Sequence, residues 1–378
     1  MDKIEIRKQI DEADDGILSL FLKRMELADK MAAAKKELGL PIPDRERERE
    51  ILAKVSEKSG DMEPYAYYLF SALFKLSKTR QNELLSAPSK VRTQIENALS
   101  AGEAVFPRSG TVACQGIEGS NSQTACENLI PRANIVYVKT FEAVFDAVES
   151  GLCKYGVLPI ENSSSGSVRT VYKLLQNRSF SIVRSTKLCI RHELLAKSGT
   201  VLSDIKEIYS HEQAINQCEK FLSSLPNVKI IPCGNTALAA KMVSESDNPH
   251  IAALSSHTCA ELYGLSVVSD SVQDSDNNYT RFICITKEPK IYGGANKISA
   301  IFACDNKPGA LYDILSKPAL LGINMNKLES CPVTGRNFEF VFFMDLEASV
   351  REPHVISMLE NLERSCETFI FLGNYEEV

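Results

Sequence analysis

Two cations on the apolar stripe of an amphipathic helix are the first sign of chemistry in this sequence. Arg24 and Lys35 share a face with Ile10, Ile17, Phe21, Ala28 and Met31, because eleven residues at ~100° each return within ~20° of the starting direction. A desolvated, unpaired cation is costly, so each needs a carboxylate from elsewhere in the protein or from a ligand. The next two helical patterns repeat the anomaly. Asp44 and Glu48 stand one turn apart beside Ile51, Leu52 and Val55, and the stripe Phe70, Leu73, Phe74 turns polar at Ser77 and Gln81. A solvated face of alternating charge accounts for Arg45, Glu46 and Arg49. Polar groups on apolar stripes point instead to a site for a small dianion.

A second group of polar residues sits at strand ends. The buried run Val157-Leu158-Pro159-Ile160 leads into Glu161-Asn162-Ser163-Ser164-Ser165-Gly166-Ser167, and a helical pattern starts at Val168. In open α/β sheets ligands bind beyond the carboxyl ends of strands, where helix N-termini and hydroxyls attract carboxylates. Ser210-His211 with Gln217, Gly234-Asn235-Thr236, Asn278-Tyr279-Thr280-Arg281-Phe282, and Gly116 and Gly119 with Ser120 and Ser122 place small polar groups beside apolar runs in the same way. Near the C-terminus Asn306-Lys307-Pro308-Gly309-Ala310-Leu311 reads as a tight strand-to-helix turn that lets backbone approach a ligand.

The periodicities that carry these groups change twice along the 378 residues. Residues 1–85 have a 3.6-residue apolar period and no cysteine, and are expected to form three helices: 4–38, one after Pro43 with Asp44 as N-cap, and one from near Pro64. The first helix would span on the order of 50 Å at ~1.5 Å per residue, too long to cover its stripe with two shorter helices, so it is expected to pack against a second copy of itself. Residues 86–110, with Ala87-Pro88 and Pro107, read as a linker with room for one short helix. From 111 to 288 short β-branched runs (111–114, 135–138, 155–160, 181–183, 208–210, 229–232, 250–254 and 282–286) alternate with helical stretches, which predicts a two-lobed α/β domain. Residues 297–378 read as βαββαβ, the ferredoxin-like split unit. The chain is thus multidomain, as its length also implies, since single cores stop growing at roughly 250 to 300 residues.

Composition excludes several classes. The net charge of −6 comes with mixed signs throughout, so no basic stripe serves a nucleic acid or membrane surface. No run approaches the roughly 18 apolar residues of a membrane span, and the charged N-terminus carries no export pattern. Eleven cysteines lie scattered between Cys114 and Cys366 without metal-ligand spacing. They read as reduced thiols of a cytoplasmic protein, with no metal or cofactor expected.

Across nearly all of residues 1–85, Arg7, Arg24, Lys35, Asp44, Arg47-Glu48, Ser77 and Gln81 resemble the all-helical chorismate mutase family in type and spacing. The resemblance implies an intertwined dimer in which long first helices pair and each site borrows an arginine; Arg7 fits that role. It further implies that Arg7, Arg24 and Arg47 clamp the two carboxylates of chorismate, that Lys35 and Gln81 contact the breaking ether bond, and that Glu48 and Asp44 bind the ring hydroxyl, with Ser77 also in the site. Residues 112–287 resemble the prephenate dehydratase family through Pro159-Ile160-Glu161-Asn162-Ser163-Ser164-Ser165-Gly166, Ser210-His211 with Gln217, and Thr280-Arg281-Phe282. This resemblance implies a cleft between lobes with Thr280 essential for dehydration. Asn162, Ser163, Ser210, Gln217, Asn235, Thr236 and Arg281 would bind substrate, and either Glu161 or His211 would supply the proton or polarise Thr280.

The last segment, with Pro308-Gly309, Gly322-Ile323-Asn324, Lys327-Leu328-Glu329-Ser330-Cys331-Pro332 and Phe338-Glu339-Phe340, resembles the ACT regulatory domain. It implies phenylalanine binding between two such domains, with Gly309, Ala310, Leu311, Glu329 and Ser330 at the effector site. Cys331 stands where the family's Glu-Ser-Arg-Pro carries arginine, which removes a guanidinium near that site. Together the segments resemble bifunctional chorismate mutase/prephenate dehydratases inhibited by phenylalanine and assembled as dimers or tetramers. The competing expectations are a non-catalytic sensor of aromatic metabolites and a dehydratase that prefers arogenate.

Overall fold

The computed structural model describes residues 2–85, 89–101, 105–332 and 340–378. Ala87-Pro88 of the expected linker and Phe338-Glu339 of the last motif lie outside them. The chain divides into two compact units, Met1–Ser89 and Lys90–Val378.

The first unit holds three helices, α1 (Lys3–Leu38), α2 (Arg45–Ser59) and α3 (Glu63–Leu85). α1 stops at Gly39, whose left-handed φ of 64° terminates the helix. The Asp44 carboxylate accepts the Arg47 backbone N–H at 3.0 Å and so starts α2. Within α1 the buried positions are Ala28 and Ala32, and Arg80 of α3 pairs with Asp29 at 2.8 Å. The expected core stripe divides at this point. Phe21 and Ala28 turn inward, whereas Ile10, Ile17 and Met31 are exposed together with Ile6, Leu20, Leu27 and Leu38. Two shorter helices cover only one side of a 36-residue helix, and its second apolar side stays bare.

The second unit opens with α4 (Lys90–Ala101). Val91, Ile95 and Ala98, spaced i, i+4, i+7, are buried in one cluster with Ile298, Phe302, Leu359 and Leu362. Arg92 pairs with Glu360 at 2.6 Å, and the Ile291 N–H donates to the Ala98 carbonyl at 3.0 Å. The segment expected as a linker is therefore part of a core.

The first lobe follows with β1 (Ser109–Gln115), α5 (Asn121–Leu129), β2 (Arg132–Val138), α6 (Phe141–Glu149), β3 (Tyr155–Asn162), β4 (Gly166–Ser167), α7 (Arg169–Asn177) and β5 (Ser181–Cys189). The chain then crosses to a second lobe of β6 (Glu193–Ala196), β7 (Glu207–Ser210), α8 (Glu212–Gln217), α9 (Glu219–Ser223), β8 (Lys229–Pro232), α10 (Thr236–Glu245), β9 (Ile251–Ser255), α11 (His257–Tyr263) and β10 (Ser266–Ser269), with sheet order β10-β6-β9-β7-β8. It returns as β11 (Tyr279–Thr286), which lies between β5 and β3, antiparallel to both. The remainder, β12 (Lys297–Ala303), α12 (Ala310–Leu320), β13 (Met325–Pro332), β14 (Phe340–Glu347), α13 (Pro353–Ser365) and β15 (Thr368–Glu377), has the expected βαββαβ order.

The C-terminal sheet joins the first lobe. β15 runs parallel to the end of β5, pairing Glu376 with Arg184 and Glu377 with Ser185, so one sheet runs β13-β14-β12-β15-β5-β11-β3-β1-β2, with β4 on β3. Gly373 permits the approach: at φ 151° a Cβ there would meet the Ile182 carbonyl oxygen at 2.2 Å.

Candidate active sites

The cavity between the lobes, about 410 Å³, is lined by residues from both, including Ser120, Asn121, Asn162, His192, Gln217, Asn235, Thr236, Thr280 and Phe282. None of its described lining residues is Asp, Glu, Lys or Arg. Positive potential comes from backbone instead. α5 and α10 begin at the cavity wall, capped by Ser120 and by Asn235, whose side-chain oxygen accepts the Leu238 N–H at 2.7 Å. Helix N-termini carry partial positive charge and favour bound carboxylates.

Thr280 on β11 lies opposite Asn162 on β3. The Asn162 Nδ2 donates to Thr280 Oγ1 at 2.9 Å and to Asn278 Oδ1 at 2.8 Å, while its Oδ1 accepts the N–H groups of Ser164 and Ser165 at 3.0 and 2.9 Å. Asn278 Nδ2 donates in turn to Gln217 Oε1 at 2.9 Å, which also meets His192 Nε2 at 3.0 Å. A carbonyl oxygen only accepts, so this contact puts the His192 proton on Nε2. Burial lowers the His192 pKa and keeps the ring neutral. The chain of amides ends at Thr280, whose oxygen accepts and whose own proton has no acceptor among the described residues. It is free to be donated into the cavity.

Other expected residues hold the frame. The Ser163 hydroxyl donates to the Asn277 carbonyl and accepts the Tyr279 N–H, both at 2.9 Å, pinning the loop to β11. Ser210 is fully buried, donates to the Leu254 carbonyl at 2.8 Å and does not line the cavity. His211 lines the cavity and caps α8, its Nδ1 accepting the Gln213 N–H at 3.3 Å.

Glu161 and Arg281 do not face the cleft. Successive strand residues point to opposite faces, so the pair next to Asn162 and Thr280 projects through the sheet toward β13, β14 and β15. Arg281 is 3% exposed; it stands 2.7 Å from Glu161, 2.6 Å from Asp345 and 3.8 Å from Glu377. Burial disfavours its charge, but Tyr375, Asp345 and Glu161 around it more than offset this and raise its pKa. Lys327 of β13 lies 2.5 Å from Glu161 and 2.7 Å from the Ser167 hydroxyl. Arg281 is thus surrounded by carboxylates on the face of the sheet away from the cavity, and Glu161 is engaged there by two cations, Arg281 and Lys327.

Effector candidates separate likewise. Gly309 takes the left-handed conformation that starts α12, Ala310 is buried, and Leu311 lines a cavity of about 460 Å³ with Asn306, Lys307 and Phe340. Glu329 instead pairs with Lys327 at 3.3 Å and accepts a hydrogen bond from Ser167, and neither it nor exposed Ser330 lines that cavity.

In the helical unit Arg24 is half-buried. It donates to the Leu73 carbonyl at 2.9 Å and to the Ser77 hydroxyl, and stacks 5.5 Å from the Phe74 ring centre. Desolvation lowers its pKa. Gln81, one turn beyond Ser77, is 7% exposed, and its Oε1 is buried without a partner among the described residues. Lys35 is half-buried and donates to the Ile42 carbonyl. Glu48 pairs with Lys78 at 2.9 Å. Asp44 serves as a helix cap, and Arg7 and Arg47 are exposed, Arg47 pairing with Glu50 at 2.7 Å. The fold thus brings Arg24, Ser77 and Gln81 together.

His192 and Asn278 complete the amide chain and were not singled out by sequence as site residues. Asn278 stands two residues before Thr280 and offered a weak signal; His192, in the crossing between β5 and β6, offered none.

Sequence profiles of two families match the chain: chorismate mutase type II over residues 6–82 and prephenate dehydratase over residues 112–290. The bifunctional chorismate mutase/prephenate dehydratase of Escherichia coli K12 is 30% identical across 98% of this chain and 95% of its own length. Arogenate dehydratase/prephenate dehydratase 2 of Arabidopsis thaliana is 35% identical over 75% of each chain. Among solved structures, a prephenate dehydratase from Arthrobacter aurescens in complex with L-Phe is 28% identical, covering 70% of this chain and 89% of its own with a TM-score of 0.64. On its sequence across both units, the chain belongs to the bifunctional chorismate mutase/prephenate dehydratase family.

Proposed function

We propose that the helical unit rearranges chorismate to prephenate and that the interlobe cavity dehydrates and decarboxylates prephenate to phenylpyruvate. The observation that carries the second half is the free Thr280 proton, aimed by Asn162 in a cavity whose charge complement is helix N-termini. Prephenate's ring carboxylate leaves as CO2, and the C–C bonding electrons enter the ring as the ring C–O bond breaks. Hydroxide is a poor leaving group, so a donor at that oxygen lowers the barrier, and it departs as water once a proton is transferred. Thr280 donates there and takes its proton back from water, so that the net products are phenylpyruvate, CO2 and hydroxide, while the N-termini of α5 and α10 hold the carboxylates. His211, whose Nδ1 accepts the Gln213 N–H and so leaves Nε2 to donate, is a second candidate donor, from the second lobe.

The pericyclic mutase step needs no proton transfer, so orientation and charge stabilisation suffice. Arg24 is the built cation of that site, and the side-chain Nε2 of Gln81, a donor, supplies the contact to the ether oxygen. The bare stripe of α1 supports pairing with a second copy, which would bring the exposed Arg7 into the partner's site; this dimer, or a tetramer built from it, would be the assembly. The βαββαβ unit reads as an ACT domain with phenylalanine as inhibitor at the Asn306 to Leu311 turn. Eleven free thiols support a cytoplasmic setting. Among the described residues no helix is long and apolar enough to cross a membrane.

The test supplies chorismate to purified protein and follows chorismate loss and phenylpyruvate appearance, with and without phenylalanine. Thr280→Ala should cut phenylpyruvate formation by orders of magnitude while chorismate loss continues; undiminished phenylpyruvate would remove the Thr280 assignment. The Arabidopsis relative favours arogenate as a second substrate, and the same assay with arogenate decides it.

A further inference from the structure

The loop that aims Thr280 is held from outside its own lobes. Residues 161–167 carry the chain from the end of β3 through a tight turn into β4, and the two ends pair across β3 and β4, Glu161 with Ser167 and Asn162 with Gly166. Inside that turn the Ser164 and Ser165 amides fix the Asn162 oxygen, and so the direction of the Asn162 nitrogen that meets Thr280. Both ends of the turn converge on one ammonium group. Lys327 Nζ lies 2.5 Å from Glu161 Oε2 and 2.7 Å from Ser167 Oγ, is largely buried, and sits 5.0 Å above the Tyr172 ring. Lys327 belongs to β13, the outermost strand of the C-terminal part of the sheet.

We infer that Lys327 is a positioning residue of the dehydratase reaction, stapling the two ends of the 161–167 loop so that Asn162 directs the Thr280 hydroxyl at substrate. It does not touch the cavity and acts only through Glu161 and Ser167. A lysine suits the place because its point charge offers three donors that reach a carboxylate and a hydroxyl at once. Glu329 completes the cluster, accepting from Ser167 and pairing with Lys327. Loss of the ammonium leaves the Glu161 carboxylate to Arg281 alone and frees one end of the turn. The Asn162 to Thr280 contact then samples wider geometries, and misplacement by ~1 Å is enough to cost on the order of a hundredfold in rate.

This inference rests on the proposed dehydratase activity. The experiment compares full-length wild type, Lys327→Met, Lys327→Arg and Ser167→Ala for prephenate turnover, reading kcat and KM separately, and for chorismate turnover in the helical unit as a folding control in the same chain. The expected result for Lys327→Met is a kcat for prephenate lower by roughly ten- to a hundredfold with KM changed far less, mutase turnover unchanged, and partial recovery in Lys327→Arg. Ser167→Ala should lower kcat by several-fold without moving the melting temperature. Should Lys327→Met fail to fold, Ser167→Ala and Lys327→Arg decide alone. Wild-type kcat in Lys327→Met, or in Ser167→Ala when Lys327→Met is unfolded, overturns the inference, as does a loss confined to KM. Absence of phenylpyruvate from the wild type would instead overturn the proposed activity.

Discussion

Replacing Asn162 by aspartate tests the direction of the proton at Thr280 with a near-isosteric change. Asn162 is 7% exposed and uses both ends of its amide. In the Asn162→Asp variant one carboxylate oxygen would still accept from the Ser164 and Ser165 amides, but the other would sit where Nδ2 now lies 2.9 Å from Thr280 Oγ1 and 2.8 Å from Asn278 Oδ1. Two acceptors cannot share a hydrogen bond without a proton. Thr280 would rotate its hydroxyl toward the new carboxylate, and substrate would lose its donor. Removing one preorganised donor costs roughly 10²- to 10³-fold in kcat, or about 3 to 4 kcal/mol. The opposed Asn278 oxygen, left with only the Ser164 hydroxyl at 3.5 Å, adds a cost of at most about 1 to 3 kcal/mol of stability. Steady-state prephenate turnover and urea unfolding measure the two effects, and chorismate turnover in the same sample reports that the helical unit is intact. Activity should recover partly in acid, where the introduced carboxyl, once protonated, again offers Thr280 a donor. A variant with wild-type kcat at neutral pH would refute the claim that Asn162 sets the Thr280 proton.

Arg24→Ala removes the guanidinium held by Leu73, Ser77 and Phe74; chorismate turnover should vanish while helical circular dichroism and prephenate turnover persist, and wild-type-like mutase activity would discard the assignment. His192 supplies a pH dependence. Its folded pKa is depressed by burial, so its contribution to stability is fully present above the unfolded value of about 6.5 and is lost as pH falls from there through the depressed folded value. Urea unfolding of the wild type should weaken on acidification below that point, with a shallower slope in His192→Gln; superimposable slopes would show that the buried ring does not drive the effect.

The helical unit was legible because its signals are local. Asp44 caps, Gly39 terminates and the 3.6-residue period runs uninterrupted, so boundaries fell within a residue or two of those observed. Which α1 stripe is buried was not legible: Ile10 and Ala28 carry similar apolar signals, and only the lengths of α2 and α3 decide which is covered. β6 escapes the sequence reading because Glu193-Leu194-Leu195-Ala196 consists of good helix formers without a β-branched residue; nothing in the length of β10, Ser266–Ser269, separates it from the equally short β7 and β8, which the sequence does signal. Thr280-Arg281 and Glu161-Asn162 look like contiguous site motifs in the sequence, yet in a strand each such pair splits across the sheet. The alternation is a property of any strand, but assigning the cleft face needed the pairing of β3 with β11. The amide chain from His192 to Thr280 draws its members from four separate stretches of sequence, and no local spacing encodes it.

The burial of α4 has a practical consequence for anyone wishing to separate the catalytic halves. A cut in the supposed spacer near residue 105 would strip Val91, Ile95 and Ala98 from the sheet-and-helix layer they seal, leaving an oily trench and taking the Arg92 guanidinium away from Glu360. A dehydratase fragment that keeps the βαββαβ unit should begin no later than Ser89, and the matching mutase fragment should end there.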